Sequence, residues 1–288
     1  MERSPHPPTS PAVHWAPFEL VIFDCDSTLC AVEGIDELAG WVGKQAEVAA
    51  LTAQAMSGEL PLEAVYSRRL ELLNPTREHV RRLARLYQDS LLPDARAVLD
   101  MLRALGRTVF IVSGGLAEGV RDFGQWLGLP PENVFAVELE YNQLAGRWWE
   151  AWKHPGGRNP DERYLAHDGG PLTVGRGKAD VIHKLRRRYR GRALLVGDGV
   201  SDLEASQTVD LFVGFGGVIA RERVRAAAPV YIHVPELAPV LPLALARPAV
   251  PAEAAGLYAR GVELLAGDAV TFRDPSARAG LWQRLRPA

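Results

Sequence analysis

Hydrophobic and polar positions along this chain fall into two patterns. Short unbroken apolar runs end in small or acidic turns: Leu20-Val21-Ile22-Phe23 before Asp24, Phe110-Ile111-Val112 before Ser113-Gly114-Gly115, and Leu194-Leu195-Val196 before Gly197-Asp198. Runs of this length without polar interruption predict buried strands. Between them, apolar residues recur at helical spacing. Ile35, Leu38, Ala39 and Val42 form one stripe, and Leu70, Leu73, Val80, Leu83 and Leu86 continue it around a break at Asn74-Pro75-Thr76. Val98, Leu99, Leu102 and Leu105 form another, closed by Gly106, and Leu116, Val120, Phe123 and Leu127 a third. Strands are expected over 18–24, 108–112 and 134–139, with shorter ones at 212–214 and 230–234. Alternation of this kind predicts an α/β fold: a doubly wound, Rossmann-like parallel sheet. The core takes residues 18–30 and 92–245, and the helical block 31–91 is inserted after the first strand as a small cap.

Three stretches fall outside that pattern. Residues 1–17 carry five prolines and no core segment, and read as a disordered or loosely attached leader rather than a secretory signal. Residues 142–174 hold Trp148, Trp149 and Trp152 among Gly, Pro and Asp, which suggests a hairpin and loop whose aromatics pack on the core. Residues 246–288 form a C-terminal extension with a helix carrying Leu257, Leu264 and Leu265.

The strand ends concentrate the chemistry. Asp24-Cys25-Asp26-Ser27-Thr28 puts two carboxylates one residue apart after a buried strand, an expensive placement unless they hold a cation or react. A carboxylate can do both, since it binds hard ions and can attack phosphorus. A solvent-facing acidic turn is the plainer alternative for these five residues alone. Ser113-Gly114-Gly115, Lys178 at the head of a helical pattern, and Gly197-Asp198-Gly199-Val200-Ser201-Asp202 complete the set. In a parallel sheet such turns share one carboxyl edge, where ligands bind.

Composition removes several function classes. Of 288 residues, 47% are apolar and 24% charged, and the formal net charge is −2. Nothing in that balance argues for nucleic acid or membrane binding. The two cysteines, Cys25 and Cys30, have no zinc spacing and fit a reduced, cytoplasmic protein. The apolar stretch 234–246 is broken by Glu236 and three prolines, so it does not span a membrane. The basic run 184–192 reads as a solvated helix face.

The ordered set of four motifs resembles the haloacid dehalogenase superfamily of phosphohydrolases. Val32-Glu33-Gly34-Ile35-Asp36-Glu37, the segment 55–62, Ser67-Arg68-Arg69-Leu70 and Gly214-Phe215-Gly216-Gly217 narrow the resemblance to its phosphoserine phosphatases. It covers about residues 18–141 and 175–245. It implies Mg²⁺ held by Asp24, Asp198 and the backbone carbonyl of Asp26, with Asp202 orienting the metal shell or Lys178. It implies Asp24 as nucleophile, Asp26 as acid and base, and Ser113, Gly114 and Lys178 as the phosphate cradle. Glu33 is similar to the acid that receives the substrate amino group, and Arg69 to the arginine that clamps the carboxylate, with Arg68 as its adjacent alternative. Met56 and Leu62 correspond to residues that exclude water, and Ser201 stands where many relatives have Asn or Thr.

The resemblance therefore implies a Mg²⁺-dependent hydrolase that releases serine and phosphate from phosphoserine at the end of serine synthesis, as a monomer or homodimer. A phosphatase or phosphotransferase for another small phosphomonoester, such as one that passes the phosphoryl group to homoserine, is the alternative. A binding protein that kept the fold is a third possibility, but it would be expected to have lost the nucleophile or the lysine.

Overall fold

The computed structural model describes residues 15–56, 62–154, 158–245, 252 and 255–285. Among the described residues, seven strands form one sheet in the order β3-β2-β1-β6-β7-β8-β9. These are β1 (Leu20–Phe23), β2 (Thr108–Leu116), β3 (Val134–Val137), β6 (Ala193–Gly197), β7 (Leu211–Phe215), β8 (Val230–Ile232) and β9 (Val270–Phe272). All neighbours pair in parallel except β8 and β9, which are antiparallel. β1 lies at the centre, with Phe23 opposite Ile111 of β2 and Val196 of β6. That register sets Asp24, just after β1, level with Gly197 at the end of β6 and with Val112 of β2, which runs on to Leu116.

The unbroken apolar runs have a direct cause. Val21 and Phe23 of β1, Val109 and Ile111 of β2, and Leu194 and Val196 of β6 enter one core cluster. Leu20 and Ile22, Phe110 and Val112, and Ala193 and Leu195 enter the other. Side chains alternate between faces with period two, and helices cover both, so every position must be apolar. The covering helices include α5 (Ala95–Ala104), α6 (Ala117–Trp126), α7 (Gly177–Arg188), α8 (Val200–Ala205) and α9 (Glu222–Ala227).

Between β1 and α5 run α1 (Gly34–Trp41), α2 (Gln45–Met56), α3 (Leu62–Leu73) and α4 (Arg77–Asp89). Cys30 bridges to Leu91 where this excursion leaves and rejoins the sheet. Thr76 opens α4 with a capping box shared with His79. Arg77 then ties α4 to its surroundings: its Nε donates to Glu162 Oε2 at 2.8 Å, it pairs with Glu118 of α6, and its guanidinium lies 4.0 Å from the Tyr141 ring centroid.

The region after β3 corrects one expectation. Its hairpin is present, as β4 (Leu139–Asn142) paired antiparallel with β5 (Arg163–His167). The tryptophans do not pack on the core, however: Trp148, Trp149 and Trp152 are 52%, 57% and 77% exposed. They sit on a short 3₁₀ turn, where Trp148 meets Trp149 edge-on and Lys153 lies over Trp152, so the indoles satisfy one another and solvent rather than a buried surface.

The chain ends differ from expectation too. Residues 1–14 lie outside the described residues, but Trp15 is buried and donates its indole N–H to the Ala277 carbonyl at 2.7 Å. An indole this apolar finds a partner in α12 (Pro275–Leu285) instead of remaining in a loose leader. In the tail, Leu264 and Leu265 are buried on α11 (Ala255–Ala266), and β9 extends the sheet, an element the sequence reading does not contain.

Candidate active site

Asp24 follows β1 directly, and the geometry around it is built from backbone upward. Its Oδ1 accepts from the Cys25 N–H at 2.8 Å, and its Oδ2 lies 2.7 Å from Lys178 Nζ. Lys178 also reaches Asp202 Oδ1 at 2.8 Å. Gly177 fixes the lysine's origin, because a Cβ there would fall 1.3 Å from the Pro171 carbonyl oxygen. Only glycine lets α7 start against that turn. Burial alone would lower the Lys178 pKa, but the carboxylates of Asp202 and Asp24 outweigh it and hold the ammonium above its ordinary value.

After Asp24 the chain turns sharply. Ser27 adopts φ 52°, an unusual left-handed conformation for a residue with a Cβ, and its hydroxyl donates to Glu33 Oε1 at 2.9 Å. Asp26 points away from Asp24's partners. Its Oδ1 accepts from the Gly34 N–H at 2.6 Å and the Tyr87 hydroxyl at 3.1 Å, and its Oδ2 faces the Ser113 hydroxyl at 3.4 Å. Burial and the nearby Asp24 charge push Asp26 up to about 6. The Ser113 hydroxyl in turn accepts from the Gly115 N–H at 2.9 Å, which fixes its position at the end of β2.

These groups open on a cavity of about 270 Å³ lined by Asp24, Asp26, Glu33, Arg69, Ser113, Gly114, Lys178, Asp198 and Ser201, along with Tyr66, Tyr87 and Arg221. The sequence-predicted residues are therefore brought together, with three qualifications. Met56 ends α2, but its side chain and that of Leu62 lie outside what the structure describes. Arg68 is exposed and lines a separate depression with Glu47, Gln54 and Glu71, so Arg69 is the arginine that faces the cavity. Asp202 accepts from Lys178 but does not line the cavity.

The cap side of the cavity carries opposite charges in separate places. Glu33 caps the start of α1, and burial followed by the Asp26 charge pushes it up to about 7, against the pull of Ser27 and Arg221. Arg69 is half-buried, donates through Nη2 to Thr52 Oγ1, and leaves its buried Nε without a partner among the described residues. Burial lowers its pKa, against the pull of the Asp36 and Glu33 charges. Tyr66 donates to the Gly114 carbonyl at 2.9 Å and stacks edge-on against His167, whose Nε2 lies 2.9 Å from Ser67 Oγ. The helix α3, the hairpin and the backbone at Gly114 are thereby joined.

Asp24, Asp198 and Asp202 each offer an oxygen, all within 4.8 Å of one another, and all three residues are buried. Thr28 donates to Asp198 Oδ1 at 3.3 Å, and burial with the Asp24 charge pushes Asp198 up to about 6. A crowded, all-oxygen set under mutual repulsion fits a hard divalent cation. The carboxylate of Asp26 is not in this set, so only its backbone could join Asp24 and Asp198.

Three lining residues escape the sequence reading. Tyr66 sits three residues before Arg69 on the same helix face, so the helical period could have found it. Tyr87 continues the spacing of Val80 and Leu83 and reads as core. Arg221 lies four residues beyond Gly217; its Nε donates to Asp198 Oδ2 at 2.9 Å and its Nη2 to Glu33 Oε1 at 2.8 Å. Extending the scan past that glycine pair along the same sheet edge would have reached it.

Comparisons with known proteins agree with this geometry. The haloacid dehalogenase-like hydrolase family matches residues 21–207. Phosphoserine phosphatase of Bos taurus is 35% identical over 218 residues, covering 74% of this chain and 88% of that protein. The Homo sapiens enzyme of the same name is 34% identical over the same span and coverage. A solved structure described as a phospho-aspartyl intermediate analogue of phosphoserine phosphatase aligns with TM-score 0.60 at 25% identity, covering 78% of this chain and 98% of that one. Among the described residues no helix is long and apolar enough to cross a membrane. With a parallel sheet, its carboxyl-edge acids and relatives that span most of its length, the chain belongs to the haloacid dehalogenase-like hydrolases, within the phosphoserine phosphatase family, and is a phosphoric monoester hydrolase.

Proposed function

We propose that this enzyme hydrolyses O-phosphoserine to serine and phosphate through a phosphorylated Asp24. The observation that carries the reading is the division of one small cavity. Its core side offers Asp24, Ser113, Gly114 and Lys178, and its cap side the Glu33 carboxylate, which Arg221 already pairs, and the Arg69 guanidinium, which has no ion pair among the described residues. Phosphoserine presents the matching groups: a phosphate, an ammonium and a carboxylate.

In this scheme the Asp24 carboxylate attacks phosphorus, and the ester P–O bond breaks. Asp26 gives a proton to the departing serine oxygen, then takes one from the water that cleaves the acyl phosphate. Lys178, Ser113 and the Gly114 N–H bind the equatorial phosphoryl oxygens, where charge is concentrated in the transition state. Asp202 holds Lys178 in place, and Ser201 adds a hydroxyl to the lining. Asp24, Asp198 and the Asp26 carbonyl would hold Mg²⁺, which supplies charge neutralisation for the phosphate. Arg221 bridges Glu33 and Asp198. The product places the enzyme at the end of serine synthesis, and two free, buried cysteines suit a reducing cytoplasm.

Analogues lacking one group test the assignment. Phosphoethanolamine lacks the carboxylate and 3-phosphoglycerate the ammonium, and kcat/KM for each should fall well below that for phosphoserine. Equal turnover of all three would shift the reading to a general small-phosphomonoester phosphatase, and turnover that rises only when an alcohol acceptor is added would favour a phosphotransferase.

A further inference from the structure

The scheme above asks Asp26 to pass a proton in both directions, which requires the correct oxygen to face the reacting atoms. A carboxylate rotates easily about its last torsion, so its own backbone does not select that oxygen. Here two donors from different elements select it. The Gly34 N–H, at the start of α1, and the Tyr87 hydroxyl, from the last turn of α4, both donate to Oδ1, at 2.6 Å and 3.1 Å. Oδ2 meets only the Ser113 hydroxyl, which donates to it at the longer distance of 3.4 Å and, as a hydroxyl, can turn to accept instead.

Tyr87 is well built for this purpose. It is fully buried, and its ring packs 5.5 Å from that of Phe123. The hydroxyl sits so close to Gly34 that a Cβ on that residue would lie 2.2 Å from it. The absent side chain of Gly34 is thus the space in which the hydroxyl reaches Asp26. With two N–H and O–H donors aimed at Oδ1, a proton on that oxygen would meet them head-on, so the transferable proton belongs on Oδ2.

We infer that Tyr87 is a positioning residue for the proton transfers of Asp26, locking Oδ1 so that Oδ2 carries the proton to the leaving oxygen. The O–H bond on Oδ2 breaks as the ester P–O bond breaks, the serine oxygen takes the proton, and the carboxylate recovers one from the attacking water. The inference rests on the reading of the site given above. It also gives α4, which packs against α6 of the core, a part in catalysis.

The test uses the leaving group. Serine leaves as an alkoxide and needs the proton, whereas para-nitrophenolate leaves unaided. Tyr87→Phe removes one oxygen and keeps the ring. It should lower kcat/KM for phosphoserine by about 10- to 100-fold, a fraction of the general contribution of acid–base assistance, while KM changes little and kcat/KM for para-nitrophenyl phosphate, which reports phosphoryl transfer to Asp24 and not the later hydrolysis that also uses Asp26, is nearly preserved. Gly34→Ala, whose Cβ would fall 2.2 Å from the Tyr87 hydroxyl and 3.2 Å from Asp26 Oδ1, should produce a selective loss of the same kind in the native background. An unchanged phosphoserine rate in Tyr87→Phe, or equal losses on both substrates, overturns the inference. Absence of phosphoserine turnover by the unsubstituted enzyme would instead overturn the reading on which it rests.

Discussion

Arg69 offers the sharpest test of substrate recognition. Its guanidinium lines the cavity, spends one nitrogen on Thr52, and keeps a buried Nε without a partner among the described residues. A substrate carboxylate meeting that free edge would make a charged, forked contact. Two unit charges about 4 Å apart attract by about 4 kcal/mol at an effective dielectric of about 20, and truncating one member of a buried hydrogen-bonded charge pair costs about 2–5 kcal/mol. Because Arg69 is only half-buried, the lower part of that range applies, about 2–4 kcal/mol, or a loss of about 30- to 900-fold in kcat/KM for phosphoserine upon Arg69→Ala. Arg69→Lys should recover part of the loss, since an ammonium keeps the charge but not the fork. The assay pairs phosphoserine with para-nitrophenyl phosphate, which lacks a carboxylate and should be hydrolysed almost as before. Arg68→Ala should affect neither substrate. Equal loss on both substrates would refute the clamp and make Arg69 a structural residue, and no loss on either would place the carboxylate elsewhere.

Further outcomes follow from other residues. Asp24→Asn should abolish phosphate release while circular dichroism remains unchanged, since an amide neither attacks phosphorus nor matches a carboxylate as a ligand; a folded variant with normal turnover would exclude covalent catalysis by Asp24. Ca²⁺ should inhibit the Mg²⁺-supported reaction, because its larger and looser oxygen shell misplaces the nucleophile, and a titration of rate against Ca²⁺ checks this. Arg77→Met leaves the buried Glu162 unpaired and should cost about 3–5 kcal/mol of stability, lowering Tm by on the order of 10 °C. Adding Glu162→Gln should recover part of that loss in the same thermal melt.

How much of this was legible from sequence depended on whether a residue's environment is local. The strands around Asp24, Ser113 and Asp198 stood out because burial on both faces forces every position to be apolar, which leaves the polar residue at each end conspicuous. Glu33 and Arg69 were found through motif resemblance, and only the structure separates Arg69 from its neighbour, since adjacent helical residues point about 100° apart. The exposed tryptophans were misjudged because an indole's burial depends on whether a surface arrives to cover it, and that surface is set by tertiary contacts. Tyr87 was hidden by its own spacing: it packs like core along most of its length and differs only at the hydroxyl. Arg221 is signalled only by its place beyond Gly217 on the same sheet edge, as its partners Glu33 and Asp198 are remote in sequence.

The central claim is most directly tested by phosphate release from phosphoserine by the purified full-length enzyme, measured with Mg²⁺ and again after exhaustive chelation. The account predicts rapid, saturable release with Mg²⁺, loss on chelation and recovery when Mg²⁺ is restored. Undiminished release without metal would contradict the role given to Asp24 and Asp198, and no release from phosphoserine alongside brisk hydrolysis of other phosphomonoesters would contradict the substrate.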